Sequence, residues 1–116
     1  MSRTAIARSI LIIGIAFVFL YFGIEKFVHP NLWIVWMPDW MDGLLGLTLG
    51  SWLSIVGVTE IVIAVLLLVP VRIVRQVAII AASLHLFGIV MEVGWNDVGV
   101  RDIGLMFMSV SLWFLI

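Results

Sequence analysis

The sequence predicts an all-α integral membrane protein: a four-helix bundle with a tryptophan-rich interfacial segment between its first and second helices. Three observations predict it. Of the 116 residues, 65% are hydrophobic and only 11% charged, and the mean hydropathy is +1.32; a water-soluble domain of this length needs a more polar surface. The apolar residues form long runs, without the every-second-residue alternation of barrel strands. Four such runs fill residues 1–116 as a single domain and leave no room for a separate soluble one.

The first span, residues 6–28, is apolar apart from Arg8, Ser9, Tyr21, Glu25 and Lys26, close to the ~20 residues that a ~30 Å hydrocarbon core demands. It follows an arginine-bearing start with no small-residue cleavage site, so a retained helix is expected and not a removable leader. The segment HPNLWIVWMPDWMDGLLG, residues 29–46, is broken by Pro30 and Pro38 and rich in tryptophan. It is too interrupted to span and its rings suit the headgroup level, with a lid over a shallow tier of charges, Glu25, Glu92 and Arg101, as the sharper alternative. The second span covers residues 51–69, PVRIVRQ turns the chain, and the third span covers residues 73–93. After the short turn GWNDVGV, the fourth runs over residues 98–116, which at ~1.5 Å per residue only just crosses the core.

Arg3, Arg8, Arg72 and Arg75 fall on one side of these spans, Lys26 and Arg101 on the other. The positive-inside rule then puts both termini in the cytoplasm, and a prokaryotic inner or plasma membrane is the expected location. Five of the six tryptophans, Trp33, Trp36, Trp40, Trp52 and Trp95, gather near the outer interface. The net charge is −1 without a basic or acidic block, so no nucleic-acid partner is expected. The chain has no cysteine, which removes thiolate catalysis, disulfide exchange, iron–sulfur ligation and Cys-type zinc sites. No metal site is expected. Haem held by two histidines is disfavoured too, because His29 lies well above His85 in the chain's reading of depth.

Helical spacing assigns an inward face to each span. In the second, Ser54, Gly57, Glu60 or Ile61, and Ala64 recur at spacings of three and four, so Glu60 shares a stripe with small residues, which on a membrane helix mark close helix–helix contact. In the third, Ala78, Ala81, His85, Gly88 and Glu92 fall on nearly one face. The first offers Gly14, Val18, Tyr21, Glu25 and His29, and the fourth Arg101, Gly104, Met108 and Ser111. Counted from the outer ends, Glu60 and His85 lie roughly 12–14 Å deep at ~1.5 Å per residue, and are expected to meet. Glu25, Glu92, Arg101 and Asp102 form a shallower tier in which Arg101 is expected to pair with Glu25 or Glu92. Asp102 also suits the positive end of its helix dipole. The plain alternative is interhelical glue, worth about 0.6–2 kcal/mol per contact. Two ionisable groups at one depth favour a proton or ligand site instead, because such groups are expensive inside a membrane.

The stretches YFGIEKFVHP, GVTEIVIAVLLLVPVRIVR and VRDIGLMFMSVSL resemble the DoxX family of small four-helix membrane proteins, over nearly the whole chain. The Gly57-then-Glu60 pattern and the Arg101–Asp102 pair carry most of the resemblance. It implies a four-helix bundle and, as for some members, a place in membrane oxidoreductase assemblies of the thiosulfate:quinone oxidoreductase type or in complexes with soluble redox enzymes. It also implies roles for Glu60, Arg101 and Asp102. The long tryptophan-rich insertion departs from the family pattern and fits a different partner.

The leading expectation is therefore a quinone-facing or proton-handling subunit of a redox complex, not an enzyme alone. A quinone needs a donor at each carbonyl and a protonatable neighbour, roles open to His85, Glu60, Tyr21 and Arg101. Electrons would come from a partner, since no resident redox cofactor motif is present. The second expectation is a noncatalytic scaffold or anchor whose polar groups only fix helix packing; the third, a small-solute transporter, lacks a repeat or broken-helix signal. Expected partners are the lipid bilayer, other membrane or soluble redox subunits, and further copies of the chain itself.

Overall fold

In a computed structural model covering residues 1–116, five α-helices and three 3-10 turns account for nearly all of the chain. Four helices are long and apolar enough to cross a membrane: α1 Arg3–Val28, α3 Leu49–Leu68, α4 Arg72–Val93 and α5 Asp97–Leu115. Between the first two lie α2 Pro30–Trp33 and the turns Ile34–Trp36, Asp39–Met41 and Leu44–Gly46. Each long helix thus begins one to three residues earlier than the periodicity predicts. The extra residues follow caps: Ser2 Oγ accepts from Ala5 N at 3.1 Å, Thr48 Oγ1 from Ser51 N at 3.2 Å and Asn96 Oδ1 from Gly99 N at 2.9 Å, each satisfying an amide that the first helical turn leaves open.

Short connections make neighbours antiparallel. α1 packs chiefly on α3 and α4 on α5, with α3–α4 and α1–α5 closing the ring, in a body 49 × 27 × 23 Å. The α3–α4 turn is clamped by Arg75, whose Nε donates to Leu67 O at 2.9 Å. The α4–α5 turn needs two glycines: Gly94 has φ +78, and a Cβ on Gly99 would collide with the Gly94 carbonyl.

Only 19 of 116 residues are buried, because a single layer of helices has an inside only along its axis. That inside differs along its length. In the half that carries Arg3, Arg8, Arg72 and Arg75, Ile12, Ile15, Phe19, Ile63, Leu67 and Leu86 interlock with Ala64, Ala78 and Ala82. In the tryptophan-bearing half, side-chain packing gives way to a cavity.

Three of the expected inward faces, those of α1, α4 and α5, are turned by about one residue, some 100°. On α4 the buried residues are Ala78, Ile79, Ala82 and Leu86, while Ala81 and His85 are half-buried and Gly88 and Glu92 exposed. On α1 the buried stripe is Ile12, Ile15, Ala16, Phe19 and Gly23. Tyr21 lies outside, 52% exposed, its ring stacked on Phe17 and edge-on to Phe22. On α5 the buried residues are Gly99, Asp102, Ser109 and Leu112, while Met108 and Ser111 are exposed. The physical reason on α1 is the crossing with α3. A Cβ on Gly23 would sit 2.9 Å from Gly57 O, and one on Gly57 would sit 3.1 Å from Gly23 O, so the two backbones touch where neither has a side chain. That contact fixes the rotation of α1, and no property of Tyr21 can compete with it. Of the expected stripe of α3, Gly57, Glu60 and Ala64 are buried, with Leu53, Ile63 and Leu67 beside them, while Ser54 is only half-buried.

Candidate functional site

The Gly23–Gly57 crossing brings opposite charges together. Lys26 lies three residues beyond Gly23 and Glu60 three beyond Gly57. Side chains lean toward the N-terminus of their own helix, so in an antiparallel pair these two lean toward each other. Lys26 Nζ lies 2.5 Å from Glu60 Oε1, with the side chains only 10% and 7% exposed. The contact is an ion pair without hydrogen-bond alignment at Oε1. The ammonium also donates to Phe22 O at 3.2 Å and sits 4.9 Å from the centre of the Trp33 ring, a cation–π distance.

His85 reaches the same carboxylate from α4, its Nε2 3.8 Å from Glu60 Oε2. That is beyond hydrogen-bonding range, and Nε2, though buried, has no partner. The ring leans on Phe19, centroid to centroid 5.9 Å. Glu60 and His85, expected to meet, are therefore neighbours. Lys26, which the sequence reading counted only as an outer-end charge, is the nearer partner. The signal for it was present: a glycine followed three residues later by a charge occurs on both helices, with opposite signs.

Lys26, Glu60 and His85 line a cavity of about 440 Å³ with Phe19, Phe22, Leu53 and Val56 among its apolar walls. The tryptophan-rich segment covers it with Trp33, Trp36, Met37, Pro38, Trp40 and Met41. The segment is held down by Trp52 Nε1 donating to Leu44 O at 3.0 Å and Leu49 N donating to Asp42 Oδ1 at 3.1 Å.

The shallower tier is divided. Arg101 pairs with neither Glu25 nor Glu92. Its Nε donates to Asp102 Oδ1 at 3.0 Å, and its guanidinium lies 4.5 Å from the centre of the Phe22 ring. The one-residue turn of α5 explains this, since it buries Asp102 and swings Arg101 to the wall. Arg101, Asp102 and the exposed Glu92 all line the cavity. Glu25 is engaged elsewhere, with His29 Nδ1 at 3.0 Å and Trp33 Nε1 at 3.5 Å. Tyr21 is absent from the lining. No group of three or more His, Asp or Glu side chains is placed to hold a metal ion.

Chemically, the site combines aromatic and aliphatic walls with an ionic floor and one buried, unpartnered imidazole nitrogen. Comparisons of the chain with protein-family models, curated proteins and solved structures return no match.

Proposed function

We propose that the four long helices span a bilayer, with both termini on the cytoplasmic side, and that the cavity binds a quinone-like ligand in a subunit of a redox assembly. The observation that carries this reading is His85 Nε2: a buried polar atom without a partner, beside an ion-paired carboxylate, at the wall of a cavity otherwise lined by rings and aliphatic chains. The cavity volume falls within the ~300–1,000 Å³ common for small-molecule sites, which pair apolar walls with a few directed polar groups. An imidazole N–H at that position donates to a carbonyl oxygen, and an imidazole can also pass a proton. Glu60 lies beside the imidazole, and Lys26 pairs with Glu60. Trp33, Trp36 and Trp40 exclude water and offer faces for a planar ring. A quinone supplies the capacity to accept two electrons and two protons; the electrons come from a partner protein.

Removing His85 tests the reading. A short-chain quinone titrated into the detergent-solubilised protein should quench tryptophan fluorescence saturably, because three of the six tryptophans line the cavity. His85→Ala should weaken that binding about tenfold, the equivalent of one hydrogen bond to a buried group at ~1.4 kcal/mol. Tyr21→Phe, outside the cavity, should leave it unchanged. Equal quenching in both variants and the parent reduces Glu60, His85 and Lys26 to packing. The noncatalytic scaffold would then stand, as the close Gly23–Gly57 crossing already favours tight assembly for its own sake.

A further inference from the structure

The opposite end of the bundle carries a second feature that the quinone reading does not use. Arg8 of α1, Arg72 and Arg75 of α4, Pro70 and Ile116 line a cleft of about 220 Å³. Two of the arginines are fixed there. Arg8 Nη1 donates to Leu115 O at 3.3 Å, at the end of α5, and Arg75 Nε donates to Leu67 O at 2.9 Å, at the end of α3. A guanidinium has five N–H donors, so each carbonyl uses one and leaves the rest directed elsewhere. None of the chain's four ion pairs involves Arg8, Arg72 or Arg75. The seven acidic residues, Glu25, Asp39, Asp42, Glu60, Glu92, Asp97 and Asp102, all lie in the other half or at mid-bundle. Arg3 adds a fourth positive charge at this end. α4 also begins in the cleft, behind Val71, which provides no side-chain cap.

Arginines that only mark the cytoplasmic side of a loop stay solvated and splayed. Here, residues from two helices, Arg8 and Arg72 being 64 positions apart in sequence (72 − 8), converge on one cleft with unused donors and no acidic side chain as counter-ion. Planar, forked guanidinium groups match phosphate oxygens in geometry. Basic pockets between membrane helices on the cytoplasmic side accept acidic lipid headgroups. We infer that this cleft is a binding site for the phosphate of an acidic phospholipid. The lipid, in preference to a free phosphate, is favoured by the neighbouring apolar surface: Trp113 and Phe114, beside the Leu115 carbonyl that holds Arg8, are 39% and 80% exposed and can carry an acyl chain. The site rests on the bundle spanning a bilayer but not on the quinone reading.

The experiment uses the full chain recovered from floated liposomes; failure to float refutes the membrane placement separately from the lipid site. Native mass spectrometry of the solubilised protein is then followed during titration with phosphatidylglycerol, phosphatidylcholine or inorganic phosphate. Phosphatidylglycerol should be retained at one per chain and preferred over phosphatidylcholine. Arg72→Gln, which breaks no hydrogen bond of the structure, should reduce that preference about fivefold, the value of one basic residue near an acidic surface. Arg72→Gln with Arg75→Gln should reduce it by about the square of that factor. Arg3→Gln, outside the cleft, should change it least. Equal retention of the two lipids, or an unchanged preference in the double variant, overturns the site. Displacement of phosphatidylglycerol by inorganic phosphate at matched concentration overturns the lipid assignment in favour of a free anion.

Discussion

Breaking the Lys26–Glu60 pair from one side should unsettle the bundle more than removing both charges together. The side chains are 10% and 7% exposed, so Lys26→Met leaves a carboxylate with only His85 Nε2 at 3.8 Å. Removing one partner of a buried pair typically costs about 3–5 kcal/mol. The cavity beside Glu60 lets some water approach, so the lower end, ~3 kcal/mol, is expected. The cost of an unpaired charge at mid-membrane on insertion scales is also about 2.5–3.5 kcal/mol. At roughly 4 °C per kcal/mol for a chain of this size, Lys26→Met should melt on the order of 10 °C below the parent in detergent, followed by circular dichroism. Glu60→Met should do the same by stranding the ammonium. The double variant should return close to the parent, since apolar replacement of a whole buried pair is often neutral or better. Single variants within about 1 kcal/mol of the parent, or a coupling energy below about 0.5 kcal/mol in the cycle, would refute the reasoning that these charges depend on each other.

Gly23→Ala and Gly57→Ala should each destabilise by about 1–3 kcal/mol, the usual cost of overpacking, because the added Cβ meets backbone at 2.9 and 3.1 Å. Gly14→Ala, where a Cβ meets nothing within 4 Å, should be neutral or gain up to ~1 kcal/mol from helix propensity; thermal melts of the three separate the crossing from a general glycine effect. For orientation, cysteines placed at Ser2 and Gln76 of this cysteine-free chain should resist an impermeant thiol reagent outside intact cells, whereas one at Asp42 should react. Labelling at Ser2 or Gln76 would reverse the proposed topology.

The four helices were legible because a ~20-residue apolar run has few other solutions; three of their starts moved outward behind the caps Ser2, Thr48 and Asn96, and the remaining ends shifted by no more than one residue. Rotation was legible only where polarity contrasted with its surroundings. Glu60 on α3 and His85 on α4 stand alone in apolar sequence and pointed inward as read. α1 ends in a cluster, Tyr21, Glu25, Lys26 and His29, and any of several faces could have been the inward one. The choice is made by Gly23 meeting Gly57, a contact between helices that a pattern within one helix cannot express. The same limit explains Arg101: its partner is the adjacent Asp102, and the one-residue turn of α5 that allows it depends on packing across the bundle. The tryptophan-rich segment was legible as non-spanning from its prolines, but its place over the cavity depends on the anchors of Trp52 and Asp42, which have no local signature.

The unequal filling of the bundle separates two quantities that are usually linked. The segment over the cavity is built of single 3-10 turns, with Met37 N, Met41 N and Leu47 N each bonded only to a carbonyl three residues back, whereas the interlocked half consists of continuous helix. Opening of the segment therefore requires rupture of a handful of local bonds and leaves the interlocked half intact, a low-energy excursion compared with global unfolding. For the ligand proposed above, residence time in the cavity would be set by residues 34–47, and the lifetime of the fold by residues such as Ile15, Leu67 and Ala82. Exchange of ligand and endurance of the protein can thus change independently under mutation.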